Sequence, residues 1–198
     1  LLDICGKPMI QWVLDALNGS ALVDRIYIVG LTEESNLQST KVAGYIPNQG
    51  GMLSNIKAGL AKVTENNPQV EHVLLVSSDI PGITPEMVDW VIQTALETND
   101  DAYYNVITRQ TMEARYPESK RTFTRLKDME ICGGDMNMVR SSLSSNDAMW
   151  EKIIASRKNP LKQAGLLGFD TLLLLLFHQI TLHGAVKKVT QRLGMSGR

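Results

Sequence analysis

Asp79 is the carboxylate of this sequence whose position best suits chemistry. It follows an apolar run at residues 73–76 and two serines, and Pro81 comes two residues later. An uninterrupted apolar run predicts a strand buried on both faces, as in parallel sheets covered by helices. Open α/β sheets bind ligands outside the carboxyl ends of such strands, so Asp79 is placed to hold a metal or a ligand hydroxyl. The alternative is an aspartate that caps the turn before Pro81.

A glycine pair, Gly50 and Gly51, comes shortly before a helical pattern at residues 56–63. Glycine at a helix start lets backbone amides approach a phosphate or a nucleobase closely. The pair therefore indicates a turn that contacts a ligand. The alternative is an ordinary flexible turn with Ser54 as the N-cap of the helix.

A second glycine pair opens the segment Gly133-Gly134-Asp135-Met136-Asn137. An aspartate and an asparagine two positions apart after two glycines predict a tight bend that presents oxygen ligands. Upstream, Lys120, Arg121 and Arg125 form a basic stretch that can clamp an anionic group. The alternative for this stretch is a solvated edge strand whose charges prevent aggregation.

Alternating strands and helices must position these residues. Apolar patterns predict strands at residues 25–30, 73–76 and 101–107, and helices at residues 10–17, 56–63 and 85–97. Helical patterns also cover residues 148–156, 161–167, 169–179 and 182–193. Strands that alternate with helices are typical of a doubly wound α/β fold. We therefore expect an α/β core at residues 1–145 and a helical C-terminal segment of the same domain at residues 146–198.

Charge and composition favour a small-molecule partner. The 198 residues carry 20 Lys plus Arg and 21 Asp plus Glu, a formal charge of -1. Such a balance creates no field that attracts nucleic acid or an anionic membrane, so neither partner is expected. The apolar run at residues 172–177 is too short to span a bilayer. It predicts a helix buried on most sides, and the alternative is an exposed patch through which copies form a homo-oligomer.

The two cysteines, Cys5 and Cys132, lie far apart and show no metal-ligand spacing. This usage suits a reducing cytoplasm better than a disulfide framework, so we expect a cytoplasmic protein. Both cysteines are expected to be small buried apolar residues.

Four segments in this order resemble the MobA-like and sugar-phosphate NTP transferases, a family of nucleotidyltransferases. They are Gly6-Lys7-Pro8-Met9-Ile10, the turn and helix at residues 51–60, Ser78-Asp79-Ile80-Pro81, and the bend at residues 133–137. The resemblance implies a Rossmann-like, three-layer, GT-A-like α/β fold. In it, a mixed, mostly parallel sheet lies between helices, residues 1–145 bind the nucleotide and the C-terminal part is helical.

The resemblance also implies a reaction and its site. A nucleoside monophosphate would move from an NTP to a phosphorylated small-molecule acceptor, with release of pyrophosphate. Two anions meet in this attack, so the enzyme needs Mg²⁺ and cationic or amide donors, but no side-chain nucleophile. The implied catalytic residues are Asp79 and Lys7, the metal ligands Asp79, Asp135 and Asn137, the nucleotide contacts Gly51, Ser54, Asn55 and Ser78, and the acceptor contacts Lys120, Arg121 and Gly134.

The sequence departs from the family pattern at its start. The family begins with a strand and a glycine-rich loop that carries an arginine and a lysine, whereas only five residues precede Gly6 here. We therefore expect these residues to be part of a longer molecule. The alternative is a non-catalytic relative that binds a nucleotide or a protein. A glycosyltransferase of similar fold is a third hypothesis, but its Asp-x-Asp motif is missing because Ser77 stands two positions before Asp79.

Overall fold

The computed structural model describes residues 1–157 and 168–198. The chain divides into two compact units. The first unit comprises Leu1–Asn99 and Met138–Ser145, and the second comprises Asp100–Asn137 and Asn146–Arg198. The helix predicted at residues 161–167 lies outside the described residues.

The first unit alternates strands and helices, as the sequence predicts. Two short strands form an antiparallel hairpin ahead of the first helix. The chain then continues through three further strands and two helices. In order, the elements are β1 (Asp3–Ile4), β2 (Lys7–Pro8), α1 (Met9–Gly19), β3 (Ile26–Val29), a 3-10 helix (Glu33–Ser35), β4 (Val42–Ile46), α2 (Met52–Asn66), β5 (His72–Val76) and α3 (Pro85–Ala95).

Strand β4 was not predicted, because its apolar residues are interrupted by Ala43 and Gly44. It pairs in parallel with β3, with Ile28 opposite Tyr45 and Val29 opposite Ile46. The polar segment between β3 and β4 contains a short 3-10 helix. Two parallel strands need a crossover connection between them, and residues 30–41, which include the 3-10 helix, provide it.

Helices α1 and α3 pack against each other at a glycine. A Cβ on Gly19 would lie 2.6 Å from the Cγ of Pro85, so only glycine allows this approach without rearrangement. The Thr84 hydroxyl caps α3 by accepting a hydrogen bond from the amide of Met87. The predicted start of α3 is therefore confirmed. The buried apolar residues of the first unit include Val13, Leu14, Leu17, Leu60, Val88 and Ile92.

Strand β5 is less buried than its sequence predicts. Its five residues, His72–Val76, are all only half-buried. Among the described residues, β3 has only β4 as a neighbour in its sheet, and β3 and β5 do not pair with each other. The apolar run of β5 therefore contributes to the lining of a cavity instead of filling a closed core.

The second unit contains an antiparallel sheet and helices. Its middle strand is β9 (Glu130–Gly133). In β7 (Val106–Thr108), Ile107 lies opposite Cys132, and in β8 (Thr124–Arg125), Arg125 lies opposite Glu130. Strand β8 lies at an edge of this sheet, as the edge-strand alternative for the basic stretch predicts. The elements are β6 (Ala102–Tyr103), β7 (Val106–Thr108), α4 (Arg109–Arg115), β8 (Thr124–Arg125), β9 (Glu130–Gly133), β10 (Met136–Arg140), α5 (Asp147–Arg157), α6 (Phe169–Leu176) and α7 (Leu182–Leu193). Strand β10 begins in this unit and ends in the first.

Two burial predictions are wrong. Helix α6 was expected to be buried on most sides, but Phe169, Leu173 and Leu176 are exposed. Cys132 is buried as predicted, whereas Cys5 is exposed in the turn of the first hairpin, where its φ is 55°.

No helix in the described ranges has the length and apolarity needed to cross a membrane. The fold is of the predicted α/β class with mixed sheets, and the described part of the chain has seven α-helices.

Candidate functional site

The predicted site residues fall into two groups, one in each unit. Each group is held by local contacts that can be described separately. The first unit carries Lys7, Gly51, Ser54, Asn55, Ser78 and Asp79, and the second carries Lys120, Arg121, Gly134, Asp135 and Asn137.

Asp79 lies three residues beyond the end of β5, in an exposed turn. The Ser77 hydroxyl donates a hydrogen bond to Oδ1 of Asp79. Farther along the turn, the amide of Ile83 donates to the carbonyl of Ile80, and α3 begins at its Thr84 cap. The partner found for Asp79 among the described residues is thus a side chain and not the turn amide that the capping alternative requires. Its carboxylate remains open to solvent.

The two glycines of the turn before α2 have different backbone conformations. Gly50 takes the left-handed conformation, with φ of 76°, whereas Gly51 is extended and is the N-cap of α2. Helix α2 begins at Met52, four residues earlier than predicted. Ser54 therefore lies inside the first turn of the helix, and the alternative in which it is the N-cap is wrong.

Asn55 organises the same turn. Its Oδ1 accepts a hydrogen bond of 2.6 Å from the amide of Gln49, and its own amide donates to the carbonyl of Gly51 at 2.8 Å. Asn48 adds a bond of 2.9 Å from the Gly50 amide to its Oδ1. The side-chain oxygen of Asn55 is used within the turn, so a ligand would meet the side-chain nitrogen, Nδ2.

A cavity of about 1000 Å³ lies within the first unit and brings several predicted residues together. Gly51, Asn55 and Ser78 line it, and Asn48 and Ser77 add polar groups that the sequence analysis did not single out. Most of the remaining lining is apolar and comes from α1, α2, β3 and β5. Three of the four predicted nucleotide contacts therefore share one cavity, while Ser54 does not line it.

Lys7 is engaged close to its own position in the chain. Its Nζ forms an ion pair with Asp15 of α1 and lies 3.9 Å from the centre of the Trp12 ring. Burial acts to raise the pKa of Asp15, but hydrogen bonds from Lys7 and Gln11 outweigh it and the pKa is lowered. These contacts stabilise the start of α1, and the catalytic role of Lys7 stays a prediction.

Arg121 and Asp135 contact each other directly in the second unit. Nη2 of Arg121 lies 2.8 Å from Oδ2 of Asp135, and Nη1 donates to the carbonyl of Gly133 at 3.0 Å. The hydrogen bond to Asp135, followed by its charge, raises the pKa of Arg121. Arg121, a predicted acceptor contact, thus neutralises the charge of Asp135, a predicted metal ligand.

The bend around Gly134 is fixed by Asn137 and Asn105. The Asn105 amide donates to Oδ1 of Asn137 at 2.8 Å, and Nδ2 of Asn137 lies 3.3 Å from the carbonyl of Gly134. A Cβ on the buried Gly134 would lie 3.0 Å from the carbonyl oxygen of Asn105. Close packing explains the glycine at position 134, and hydrogen bonding explains the asparagine at position 137. The ligand roles of both residues stay predictions.

An open pocket of about 580 Å³ lies beside Arg121 in the same unit. Its lining also includes Arg115, Tyr116 and Ser119. The sequence gives no signal for Arg115, because the charged residues on either side of it form no motif. Lys120 is exposed nearby in sequence but does not line the pocket.

The donor atoms permit Mg²⁺ but do not form a complete protein cage. Within residues 1–157 and 168–198, no group of three or more His, Cys, Asp or Glu side chains is arranged to hold a metal. Mg²⁺ is usually held by one or two carboxylates together with substrate phosphates and water. The exposed carboxylate of Asp79 meets that requirement.

Comparison with known proteins gives one family and several related folds. The model of the MobA-like NTP transferase domain matches residues 1–148. A structure described as a hypothetical transferase from Thermus thermophilus is 32% identical with a TM-score of 0.84, covering 100% of this chain and 80% of that one. No match was found among curated proteins.

Two further solved structures show the same fold at lower identity. One is 4-diphosphocytidyl-2C-methyl-D-erythritol synthase from Anaerococcus prevotii, with 18% identity, a TM-score of 0.56, and coverage of 78% of this chain and 68% of that one. The other is CMP:2-keto-3-deoxy-manno-octonic acid synthetase complexed with CTP, with 17% identity, a TM-score of 0.55, and coverage of 83% and 78%.

Proposed function

Because the chain belongs to the family of MobA-like NTP transferase domains, we propose that it moves a nucleoside monophosphate from an NTP to a phosphorylated small-molecule acceptor and releases pyrophosphate. The observation that carries this proposal is the cavity in which Gly51, Asn55 and Ser78 share one lining, at the end of β5 next to Asp79. The cavity supplies backbone and amide donors, and Asp79, which follows Ser78 but does not itself line the cavity, adds a solvent-facing carboxylate.

The turn before α2 is our proposed contact for the base and ribose. Gly51 has no side chain, so a planar base can approach its backbone closely. The hydrogen bonds of Asn48 and Asn55 hold this turn in one conformation before ligand arrives, which lowers the entropy cost of binding. Ser78 adds a hydroxyl to the same lining.

Asp79 is our proposed ligand for Mg²⁺. A bound Mg²⁺ would neutralise triphosphate charge and polarise the α-phosphate. The Ser77 hydroxyl orients the Asp79 carboxylate through its hydrogen bond to Oδ1. Asp135 and Asn137 stay our candidates for completing the ligand set, and Lys7 for a catalytic cation.

The basic residues of the second unit are our proposed acceptor contacts. Arg121 and Arg115 both line an open pocket, and guanidinium groups match the geometry of a phosphate. Lys120 and Gly134 complete the predicted acceptor set. An oxygen of the acceptor phosphate would attack the α-phosphorus, the bond to the bridging oxygen would break, and pyrophosphate would leave with that electron pair.

A thermal-shift panel of the four NTPs, with and without Mg²⁺, tests binding. Ligand at 100 times its dissociation constant stabilises by about 2.7 kcal/mol, which raises the melting temperature of a chain of this size by roughly 5–10 °C. CTP is the first to test, because one fold relative holds it. Melting temperatures unchanged by every NTP would contradict the proposal.

Nucleotide binding without transfer is the second candidate. It is favoured by the ion pairs that engage Lys7 and Arg121, two of the cations a transferase would use. Pyrophosphate release separates the two candidates. An NTP that raises the melting temperature but yields no pyrophosphate with any phosphorylated acceptor would support the non-catalytic alternative.

A further inference from the structure

Helix α6 presents an apolar face to solvent. Phe169, Leu173, Leu176 and Phe177 are each between 46% and 72% exposed. Positions i, i+4, i+7 and i+8 lie on one side of an α-helix, so these four side chains share one face. Thr171 projects from the opposite side of the helix and is fully buried. We call the four exposed residues the α6 stripe.

Both ends of α6 are fixed within the second unit. Near its start, the Asp170 carboxylate forms ion pairs with Lys188 and, at 2.9 Å, with Arg192, both on α7. Just after its end, the carbonyl of Ile180 accepts a hydrogen bond of 2.9 Å from the amide of Lys127. The α6 stripe therefore lies on a helix that is already positioned, and little backbone freedom is lost when a partner covers it.

The α6 stripe contains no charged side chain. Asp170 is the one charged residue in the sequence from position 169 to position 177, and its ion pairs hold it toward α7. The cores of protein–protein interfaces are likewise depleted in charge and enriched in aromatic residues. The composition of this face thus favours an apolar protein surface as its partner over nucleic acid or a charged ligand.

The α6 stripe is large for a surface that stays in contact with water. A fully exposed leucine or phenylalanine has about 200 Å² of accessible surface, so four such residues at these exposures form a patch of roughly 500 Å². Patches of this size are at the upper end of those on monomers and are often functional. Two copies that covered each other's stripe would bury about 1,000 Å², the size at which specific interfaces begin.

The spacing within the α6 stripe selects a second copy of this chain as the partner. Phe169 and Phe177 each stand four positions from Leu173, so this ridge of the helix has the same pattern in both directions. In an antiparallel pair with a two-fold axis at Leu173, Phe169 of one copy meets Phe177 of the other, and the same contact forms twice. A partner of different sequence would not require this symmetry.

We propose that two copies of the chain form an antiparallel dimer through α6, with Leu173 on the two-fold axis and Phe169 of each copy against Phe177 of the other. The interface area predicts a weak dimer, with a dissociation constant of about 10 μM. The α6 stripe lies outside residues 1–148, to which the family model matches. The inference does not depend on the proposed activity, and its test contains no nucleotide.

Sedimentation equilibrium of the 198-residue chain measures the association. Between about 1 and 200 μM, the mass should rise from 21.9 kDa toward twice that value. Leu173→Glu places like charges together at the two-fold axis and should weaken association by about 50-fold or more. Met87→Glu on α3 is the matched control, because Met87 is 47% exposed and Leu173 46%. A parent that remains at 21.9 kDa throughout, or a Leu173→Glu variant that associates as the parent does, would overturn the proposal and leave the stripe to another partner.

Two complementary variants test the antiparallel register. Phe169→Glu and Phe177→Lys each place a charge against an aromatic ring of the second copy, so each variant alone should associate about 10-fold or more weakly than the parent. In an equimolar mixture, the new carboxylate meets the new ammonium group, and mixed dimers should regain about 10-fold in affinity. All these substitutions are at exposed positions, so the melting temperatures should change little where the parent is monomeric. A mixture that associates no more tightly than the separate variants would overturn the antiparallel dimer, because a parallel pair brings the two new charges to different contacts.

Discussion

The guanidinium of Arg121 binds both the carboxylate of Asp135 at 2.8 Å and the carbonyl of Gly133 at 3.0 Å. The Arg121 side chain thus links two residues of the bend that follows β9. If Asp135 is to contact a metal and Arg121 a phosphate, this ion pair must open or be shared with the ligand. The pair is therefore the contact in the second unit that most directly affects the proposed chemistry.

We predict that Arg121→Gln raises the KM for the acceptor by about 10-fold or more, because a charge-assisted contact to phosphate is lost. Stability should change by at most about 1 kcal/mol, since the side chains of Arg121 and Asp135 are 39% and 32% exposed. Arg109→Gln is the matched control, because Arg109 forms ion pairs of similar exposure with Glu113 and Glu130. Steady-state kinetics with an unchanged acceptor KM in Arg121→Gln would contradict its acceptor role.

Asp79→Asn should lower kcat by about 100-fold or more, because it removes the charge that would hold Mg²⁺ while keeping the size of the side chain. Its melting temperature should stay close to that of the parent, since Asp79 is exposed. Ser77→Ala removes only the hydroxyl that orients Asp79 and should cause a smaller loss. Pyrophosphate release at the parental rate in Asp79→Asn would exclude the metal role.

The glycine turn allows a test in which folding and ligand approach are separated. Gly51→Ser places a favourable residue at an extended N-cap, so stability should be unchanged or slightly higher. Nucleotide affinity should fall about 10-fold if a base must approach this backbone closely. Gly50→Ala is the comparison, because its left-handed φ of 76° predicts a cost of roughly 1–2 kcal/mol. Calorimetric titration with full affinity in Gly51→Ser would make the turn a plain connector.

Asp89 should make stability dependent on pH in acid. The Ser20 hydroxyl, followed by the amides of Ala21 and Leu22, donates hydrogen bonds that lower its pKa despite the opposing effect of burial. A lowered folded-state pKa contributes stability that is complete above about pH 4 and is lost as pH falls through the folded value. Asp89→Asn should therefore melt below the parent at pH 7, with a difference that shrinks toward pH 3.

Melting curves between pH 7 and pH 3 measure this dependence. Asp24→Asn is the control, because its carboxylate is largely exposed and its partner among the described residues is Arg25 at 3.4 Å. A difference between parent and Asp89→Asn that stays constant over this range would show that Asp89 does not contribute through its charge.

Local sequence signals predicted those elements whose formation depends on residues close together in the chain. The helical pattern that begins at residue 85 predicted the start of α3, and the apolar run before Ser77 predicted β5. The same signals could not show which glycine of the Gly50-Gly51 pair would take positive φ, because both glycines allow it. Nor could they predict the half-burial of β5, since burial depends on what lies along its edges.

The candidate site was predicted in its residue types but not in its contacts. The bond between Arg121 and Asp135 spans 14 positions, and the bond between Asn105 and Asn137 spans 32. Periodicity carries no information about such pairs. The sequence therefore pointed to oxygen and cation donors, but it could not show that several of them bind one another.

The different exposure of the two cysteines gives the chain a built-in reporter of local opening. Cys5 is accessible to a thiol reagent, whereas the Sγ of Cys132 is covered and lies 3.7 Å from the carbonyl of Ile107 on β7. Cys5 should react at once and Cys132 only when β7 and β9 separate. The slow phase of thiol modification would then measure how often this sheet opens without unfolding of the whole chain.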